Sequence, residues 1–448
     1  MSVLKAGFAR IDITPQLGTR IAGYYAVRIA DGICDPLTAS ALVVDDGENR
    51  AAIVSLDLLY LPELNYQAAM EKICATTGID RSAVILACTH THTGPVLFST
   101  RHTEVANDLY NEMLACKISD VVSLAIQDLK PVTLKTGLSE AKGISFIRRY
   151  KMKDGKVQTN PGINNPNIDH PIGQNDESVQ VVSLLQENGQ EIILVNFQVH
   201  ADVVGGTKFS ADFPKYVRDT VEDALPNTKC IFYNGAEGDT NHVNVHPPKT
   251  KRKINLMHAG IGEGGVGHAK TMGRVIAGAV LGIYEKLEPC DDGKVFFVQD
   301  YAKIGANKGT DEEVQKAFEI TEQDRRGEYV TVNMEDVSRL SEAYRLVRMS
   351  KFASDHHELR VTAISFAGIC FVAFPGEPFT EIGRQVKNAS GFERCFICCC
   401  ANGSNGYFPT KDAFEGGYEA RSSNFVAGVD EALINTANAL VKKLCDMK

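Results

Sequence analysis

The stretch AVILACTHTHTGP, residues 83–95, carries the strongest indication of the fold. Its opening residues form a short apolar run, which predicts a buried strand. The polar residues from Thr89 onward predict a loop directly after that strand. Because α/β enzymes place functional groups in such loops, the stretch predicts an α/β fold with a site at the carboxyl ends of its strands.

Two histidines, His90 and His92, lie in this loop. Imidazole binds metal ions when it is neutral, and it also exchanges protons near pH 7. One ring is therefore a candidate ligand, and the other is a candidate catalytic or supporting group. This loop alone leaves open the alternative that hydrogen bonds within the fold satisfy both rings.

Polar groups follow three other apolar runs: His200 ends NFQVH, Glu377 lies in FPGEP, and Tyr407 ends NGSNGY. With a histidine of the first loop they make two imidazoles, a carboxylate and a phenolate at four strand ends. This set resembles a metal site with scattered ligands. Imidazole combined with carboxylate suits Zn²⁺.

Apolar runs and helical patterns alternate along the chain, and several runs form hairpins. This predicts an α/β protein in which mixed β-sheets are flanked by helices. The charge-rich residues Gly305–Arg348 indicate a helical insertion or small subdomain within a single domain that spans residues 1–448. Helical periodicity is present at residues 64–75, 107–129, 213–225, 270–287 and 424–444.

Two long segments, residues 150–175 and 242–267, show no pattern of strand or helix. Long loops without regular structure in compact enzymes are often substrate lids. The second segment contains the basic cluster Lys249–Lys253, which is either a solvated loop or part of a lid that would suit a small polar or anionic molecule.

The composition is that of a soluble globular protein, with 448 residues of which 44% are hydrophobic and 23% charged. The net charge of −9 gives no basic field for nucleic acid or an anionic membrane. No apolar run reaches the roughly 18 residues of a membrane span. We therefore expect a small-molecule substrate as partner, with no nucleic acid and no stable membrane association.

The cysteines and the first residues bear on location. Twelve cysteines at irregular spacings, and an N-terminus without a secretory signal, predict reduced thiols in the cytoplasm. The run FERCFICCC, residues 392–400, contains a CxxC pair but has no second pair or nearby histidine. We interpret it as a buried strand rather than a metal or redox site.

Taken together, the motifs resemble those of the neutral/alkaline ceramidase family. The resemblance begins with AGFARIDITP, continues through THTHTGP, NFQVH, NGAEGD and FPGEP, and ends with NGSNGY and YEA. The motifs keep the order of the family and extend over about residues 5–430. The resemblance implies a zinc ion whose ligands are His90, His200, Glu377 and Tyr407.

The same resemblance implies catalytic roles for further residues. His92 corresponds to a histidine that assists catalysis. Arg148, in FIRRY, corresponds to an arginine that contacts the substrate or the developing oxyanion, although neighbouring Arg149 leaves the register open. Tyr418 corresponds to a second tyrosine, at a spacing from Tyr407 that is one residue shorter than in the family.

One departure from the family concerns the nucleophile. Asn241, in GDTNHV, stands where ceramidases have a serine. Asparagine cannot form an ester intermediate, and Thr240 is one residue out of register. The sequence also ends at residue 448 without the C-terminal β-sandwich domain of ceramidases, so we expect a short relative that lacks both features.

These observations predict a zinc-dependent hydrolase that cleaves an amide (N-acyl) bond of a small soluble substrate by metal-activated water. Asn241 is a candidate donor to the oxyanion, together with Arg148 and Tyr418. The alternatives are an ester or lactone hydrolase, a metal-dependent lyase or isomerase, and a non-catalytic binding protein that retains zinc.

Overall fold

The computed structural model describes residues 3–97, 107–247, 265–290 and 293–447, and its larger sheet has nine strands. The strand order is β8-β7-β6-β5-β1-β2-β3-β4, and β9 pairs with β5. These strands are β1 (Lys5–Asp12), β2 (Thr38–Asp45), β3 (Arg50–Leu56), β4 (Val84–Cys88), β5 (Lys130–Glu140), β6 (Ser178–Gln186), β7 (Glu191–Phe197), β8 (Thr228–Asn234) and β9 (Glu288–Cys290).

The sheet is antiparallel except for two parallel pairs, β3–β4 and β7–β8, at its opposite ends. Side chains join the two ends. The Tyr233 hydroxyl donates to Ile53 O at 3.1 Å, and the Asn234 amide donates to Thr89 O at 3.1 Å. The loops that follow β4, β7 and β8 are therefore held next to one another.

A second, four-stranded sheet supplies the remaining strand ends. Its order is β10-β11-β12-β13, and its last pair is parallel. Gln180 donates to Cys395 O at 2.7 Å and so ties this sheet to the first. The strands are β10 (Phe296–Gly305), β11 (His356–Phe366), β12 (Ile369–Ala373) and β13 (Arg394–Cys398).

Helices flank both sheets, as the sequence predicted. The first two contact β1, β2 or each other, the third and fourth contact each other and the β5–β8 region, and the last contacts β10 and β11. No helix within the described ranges is long and apolar enough to cross a membrane. The helices are α1 (Glu63–Thr77), α2 (Asp108–Gln127), α3 (Asp212–Ala224), α4 (Gly265–Ile283), α5 (Asp311–Arg325), α6 (Met334–Met349), α7 (Thr380–Ala389), α8 (Tyr418–Ser422) and α9 (Val429–Asp446).

The charge-rich stretch forms the helical pair α5–α6, and α6 packs against α8. Capping boxes start both helices, at Thr310 with Glu313 and at Asn333 with Asp336. Such boxes satisfy backbone N–H groups that a helix start leaves without partners. The stretch is therefore helical, and its second helix contacts α8.

The expectation of a structureless loop at residues 150–175 is wrong. The segment starts within a small three-stranded sheet built from Arg149–Met152, Val157–Thr159 and Ile168–Pro171. These strands have at most four residues and are largely polar, so they carry no apolar alternation that sequence reading could detect. The other predicted lid, Lys249–Lys253, lies outside the described residues.

The cysteine-rich run forms β13 and the residues after it, and Cys395, Cys398, Cys399 and Cys400 are all buried. The interpretation of this run as a buried strand is confirmed. Short two-residue strand pairs complete the fold at Arg20–Ile21 with Arg28–Ile29, Gly32–Ile33 with Lys208–Phe209, Phe146–Ile147 with Thr240–Asn241, and Glu377–Pro378 with Tyr407–Phe408.

Candidate functional site

Two buried histidines from different strand ends face each other. The Nδ1–H of His90 donates to Leu59 O at 2.8 Å, so its Nε2 atom points the other way. Nδ1 of His200 lies 3.2 Å from Glu237 O, so the Nε2 atom of this ring also points away from the backbone carbonyl that its other nitrogen contacts. The two Nε2 atoms are 3.2 Å apart. Each ring is thus oriented by the contact between its Nδ1 atom and a backbone carbonyl, as is usual for metal-binding histidines.

Glu377 completes a triangle with these two atoms. Its Oε2 atom lies 3.4 Å from Nε2 of both His90 and His200, and it is buried without a hydrogen-bond partner among the described residues. Burial acts to raise the pKa of Glu377, but the charges of His90, His200 and Arg148 outweigh it and lower this pKa to about 2. The carboxylate is therefore ionised.

The cluster attracts a positive charge. Burial disfavours the charged form of His90, but Cys400, Glu377 and Glu237 outweigh it and raise the pKa of His90 well above its usual value. A proton on His90 would neutralise one donor only. A metal ion would bind all three donor atoms, which are Nε2 of His90, Nε2 of His200 and Oε2 of Glu377. It would also compensate the negative charge of Glu377, because burial of an uncompensated carboxylate is unfavourable.

The spacing of the three donors fits a metal ion. Bonds of 2.0–2.2 Å in tetrahedral geometry place neighbouring donors roughly 3.3–3.6 Å apart. The observed separations among His90 Nε2, His200 Nε2 and Glu377 Oε2 are 3.2, 3.4 and 3.4 Å. These residues can therefore hold a metal ion with little rearrangement, and Glu237 offers a further oxygen within 4.8 Å of their donor atoms.

Tyr407 lies beside the cluster because its strand pairs in parallel with the strand of Glu377, in register with that residue. Its ring stacks on His200, with centroids 6.3 Å apart and an interplanar angle of 13°. Burial raises the pKa of Tyr407 well above its usual value. The side chain also hydrogen-bonds Arg148.

His92 belongs to the same cluster. Its Nε2 atom lies 3.4 Å from Nε2 of His90. His90 has a positive φ of 66°, so the chain turns between the two rings instead of continuing as a strand. Gly23 allows the close approach on the other side, because a Cβ there would lie 2.7 Å from the Cβ of His92. Burial and the neighbouring His90 lower the pKa of His92, so its ring is neutral.

The structure separates the two arginines of FIRRY. Arg148 is buried, and its Cζ atom lies 5.5 Å from the ring centroid of Tyr407. Arg149 points away from the cluster and donates to the carbonyls of Ala413 and Gly416 at 2.8 and 2.9 Å. The geometry therefore favours Arg148 as the arginine of the site. Tyr418 is also near, with its ring centroid 5.6 Å from that of Tyr407.

Asn241 is buried in the strand that pairs with Phe146–Ile147, next to Arg148. Its Nδ2 atom donates to Asn160 Oδ1 at 2.7 Å, and its Oδ1 atom accepts from Val243 N at 3.0 Å. These bonds leave one amide hydrogen for another acceptor. The Thr240 hydroxyl donates to Glu237 O at 3.2 Å and is already engaged.

Sequence reasoning missed Glu237. It is fully buried, and its Oε2 atom lies 2.7 Å from Nδ1 of His200, although the backbone oxygen of Glu237 has the better hydrogen-bond geometry with that nitrogen. Burial raises the pKa of Glu237 to about 8. The signal was present: Glu237 follows the apolar strand β8 just as Glu377 follows β12.

A second missed pair is Asp202 with His242. Asp202 lies two residues after His200 in the sequence, and its Oδ1 atom is 3.0 Å from Nδ1 of His242. Burial acts to raise the pKa of Asp202, but the hydrogen bond with His242 and the charges of His242, His200 and His92 outweigh it and lower this pKa. An isolated aspartate in the segment after NFQVH carries no distinctive pattern, so no sequence signal indicated this contact.

No family model matches the sequence. The structure is similar to that of the neutral ceramidase from Pseudomonas aeruginosa, with a TM-score of 0.75 and 18% sequence identity over all of this chain and 75% of that chain. It is also similar to a ceramidase complexed with C2, with a TM-score of 0.73 and 17% identity over all of this chain and 76% of that chain. The chain therefore shares the mixed α/β fold of these ceramidases.

Proposed function

We propose that this protein is a zinc-dependent hydrolase related to the neutral ceramidases, which cleaves the amide bond of an N-acyl small molecule without forming an acyl-enzyme. The observation that carries the proposal is the triangle of His90 Nε2, His200 Nε2 and Glu377 Oε2 at metal-ligand spacing. That triangle lies in a chain that shares the fold of ceramidases along its whole length.

The chemistry of the donors favours zinc. Two imidazoles and a carboxylate form a common catalytic zinc set, and Tyr407, whose ring stacks on His200, is a further candidate ligand. Zinc in such a set polarises a carbonyl and lowers the pKa of a coordinated water toward 7. His90, His200, Glu377 and Tyr407 would hold the ion, and Glu237 would orient His200 from behind.

His92 would move the proton. Its ring is neutral because burial and His90 lower its pKa, so it can accept a proton from the attacking water. Its Nε2 atom, 3.4 Å from Nε2 of His90, lies beside the metal ligands. Returning that proton to the leaving amine is general acid catalysis by the same ring.

Arg148, Tyr418 and Asn241 would stabilise the oxyanion. Arg148 is a buried cation beside Tyr407, and Asn241 keeps one amide hydrogen that Asn160 does not use. Removing one such donor typically slows a reaction by about 100-fold or more. The proposal needs no serine, because water is the nucleophile.

Exposed apolar side chains near His92 favour a second candidate substrate class, N-acyl compounds with a longer acyl chain. The segment of residues 17–33, which contacts His92 through Gly23 and Tyr24, has apolar side chains that are about half exposed. This segment favours an acyl chain longer than a soluble substrate needs. The exposed residues are Leu17, Tyr24, Val27, Ile29 and Ile33.

The test is turnover of a panel of short N-acyl amines, esters and lactones in water that carries an oxygen isotope label, before and after chelation. We expect amide cleavage with one labelled oxygen in the acid product, lost on chelation and restored by zinc. Turnover without label would indicate a lyase or isomerase. Zinc binding with no turnover of any compound would indicate a binding protein and overturn the proposal.

A further inference from the structure

Glu419 is a fully buried carboxylate, and it directly follows Tyr418 in α8. Its Oε1 atom accepts from Arg148 Nε at 2.7 Å. Its Oε2 atom accepts from the Thr159 hydroxyl at 2.6 Å. Both oxygens are therefore engaged, and bonds that involve a charged group are about twice as strong as neutral ones.

The orientation of the Arg148 guanidinium depends on this contact. Nη2 of Arg148 donates to Gly238 O at 2.9 Å, while Nε donates to Glu419. Two bonds on different nitrogens fix both the position and the plane of a guanidinium. The side chain also hydrogen-bonds Tyr407, which lies beside the cluster of donors, so these contacts hold the guanidinium against the site.

Thr159 links this arginine to the second aromatic residue of the site. Its hydroxyl donates to Glu419 Oε2 and also accepts from the backbone N–H of Tyr418 at 3.0 Å. Glu419 and Thr159 together therefore determine where both Arg148 and Tyr418 lie.

The second arginine of FIRRY, Arg149, is not the main partner of Glu419. Arg149 Nε lies 3.6 Å from Glu419 Oε2, but Nη2 of Arg149 donates to two backbone carbonyls of the turn before α8. Its Cζ atom lies 5.2 Å from the ring centroid of Phe379. Arg149 is held by other groups, whereas the short contact of Glu419 is with Arg148.

We propose that Glu419 is a positioning residue: it orients Arg148 so that the free N–H groups of that arginine face an oxyanion in the site, and Thr159 holds Glu419 in place. The inference rests on the proposed function for the role of the oxyanion. It goes beyond that function by naming two residues, Glu419 and Thr159, that act through Arg148.

The experiment is a double-mutant cycle on the metal-loaded protein with the best short N-acyl substrate. Glu419→Ala should lower kcat at least about 30-fold with KM changed less than about threefold, because misoriented groups lose transition-state binding. In the Arg148→Met background the same change should matter less than about threefold. Equal losses in both backgrounds would show that Glu419 does not act through Arg148 and would overturn the proposal.

Two further variants cover the case in which Glu419→Ala fails to fold. Thr159→Val removes the hydroxyl but keeps the shape, and it should lower kcat about fivefold, while Thr159→Ser should restore it. Failure of serine to restore the rate would attribute the effect to packing and overturn the proposal. Glu415→Gln, which removes an exposed carboxylate in the turn before α8, is the matched control and should leave kcat unchanged.

Two measurements separate failure of the inference from failure of the proposed function. Zinc content should stay at the wild-type level in every variant, because none changes a ligand. Inorganic phosphate, used as an oxyanion probe, should bind at least about tenfold more weakly to both Glu419→Ala and Arg148→Met. Weaker binding in Arg148→Met alone would overturn the positioning role even if no amide were hydrolysed.

Discussion

The Nε2 atoms of His90 and His200 lie 3.2 Å apart, although 110 positions separate the two residues in the sequence. Each ring is turned by a carbonyl at its other nitrogen, and the unpartnered oxygen of Glu377 lies 3.4 Å from both. Three converging donors without a cation would be unfavourable in a buried site. This arrangement makes metal content the first property to measure.

The first prediction is one zinc ion per chain, lost when a donor is removed. His200→Ala and Glu377→Gln should each lower the bound zinc to below about a tenth of the wild-type content after dialysis, because each removes one of the few ligands of the proposed site. His170→Ala is the matched control, since His170 is an exposed histidine. Elemental analysis gives the ratio, and equal zinc in all four proteins would rule out the site.

The second prediction is hydrolysis without a covalent intermediate. A serine-directed fluorophosphonate should change neither the activity nor the mass of the protein if, as the sequence resemblance implies, Asn241 stands where ceramidases have the nucleophilic serine. Thr240→Val should retain activity, since the Thr240 hydroxyl is bound to Glu237 O. A phosphonate adduct found at Thr240 by mass spectrometry would contradict this.

The role of Asn241 itself can be separated from its role in the turn. Asn241→Ala should lower kcat by about 100-fold and retain zinc if the amide donates to the oxyanion. Asn160→Ala removes the hydrogen-bond partner of Asn241 but leaves its amide in place. Equal losses in the two variants would assign the effect to the geometry of the turn.

The proposed metal donors His90, His200 and Glu377 could be found from the sequence because each follows a buried apolar strand by a few residues. That these strand ends meet could not be read from the sequence, because β4 and β7 lie toward opposite ends of one sheet and β12 lies in the other. The choice between Arg148 and Arg149 could not be made in this way. It depends on how Phe146–Ile147 pairs with Thr240–Asn241, which is a contact between segments far apart in sequence.

The position of Glu237 after an apolar strand was visible in the sequence, but what Glu237 and Glu419 contact was not. A carboxylate acquires a function from what it faces, and these two face His200 and Arg148 across the fold. The short strands at 149–171 were missed because a few polar residues carry no periodic signal. Apolar periodicity predicts strands and helices, whereas polar contacts between loops depend on tertiary structure.

The third prediction concerns the substrate. If a small soluble N-acyl compound is the substrate, its kcat/KM should exceed that of long-chain ceramide in detergent. Each buried CH₂ contributes about 0.8 kcal/mol, so an acyl chain that used the exposed residues of segment 17–33 would reverse this order. Val27→Ser and Ile29→Ser distinguish the two cases, because they should slow only the long-chain substrate.

The fourth prediction is a large loss of stability when a buried ion pair is broken. Arg218 donates to both oxygens of Asp57 at 2.9 and 2.7 Å, and both side chains are buried. Asp57→Ala should lower the free energy of unfolding by about 3–5 kcal/mol, because it leaves the guanidinium buried without a partner. Asp355→Ala, which removes an exposed partner of Lys308, should leave it almost unchanged, because an exposed ion pair contributes little. Urea denaturation measures both, and similar values would contradict the prediction.

The fifth prediction is a pH-dependent difference in stability between wild type and Asp35→Asn. Asp35 accepts from Ala211 N and from the Ser210 hydroxyl, and burial raises its pKa from 3.8 to about 6 despite these bonds. Asparagine can keep both contacts, with its oxygen toward the N–H and its amide toward the hydroxyl.

The sign follows from the proton balance. Between about pH 4 and pH 6 the folded state binds more protons at Asp35 than the unfolded state, so this group makes wild type less stable as the pH rises. This shift in pKa contributes about 3 kcal/mol to the stability of the folded state at low pH, and the contribution is fully lost above the folded pKa. The free energy of unfolding of wild type minus that of Asp35→Asn should therefore fall by about this amount from pH 4 to pH 7. Asp31→Asn, which removes an exposed carboxylate from the same segment, is the control, and urea titrations that give a flat or rising difference for Asp35→Asn would show that Asp35 is ionised in the folded protein throughout this range.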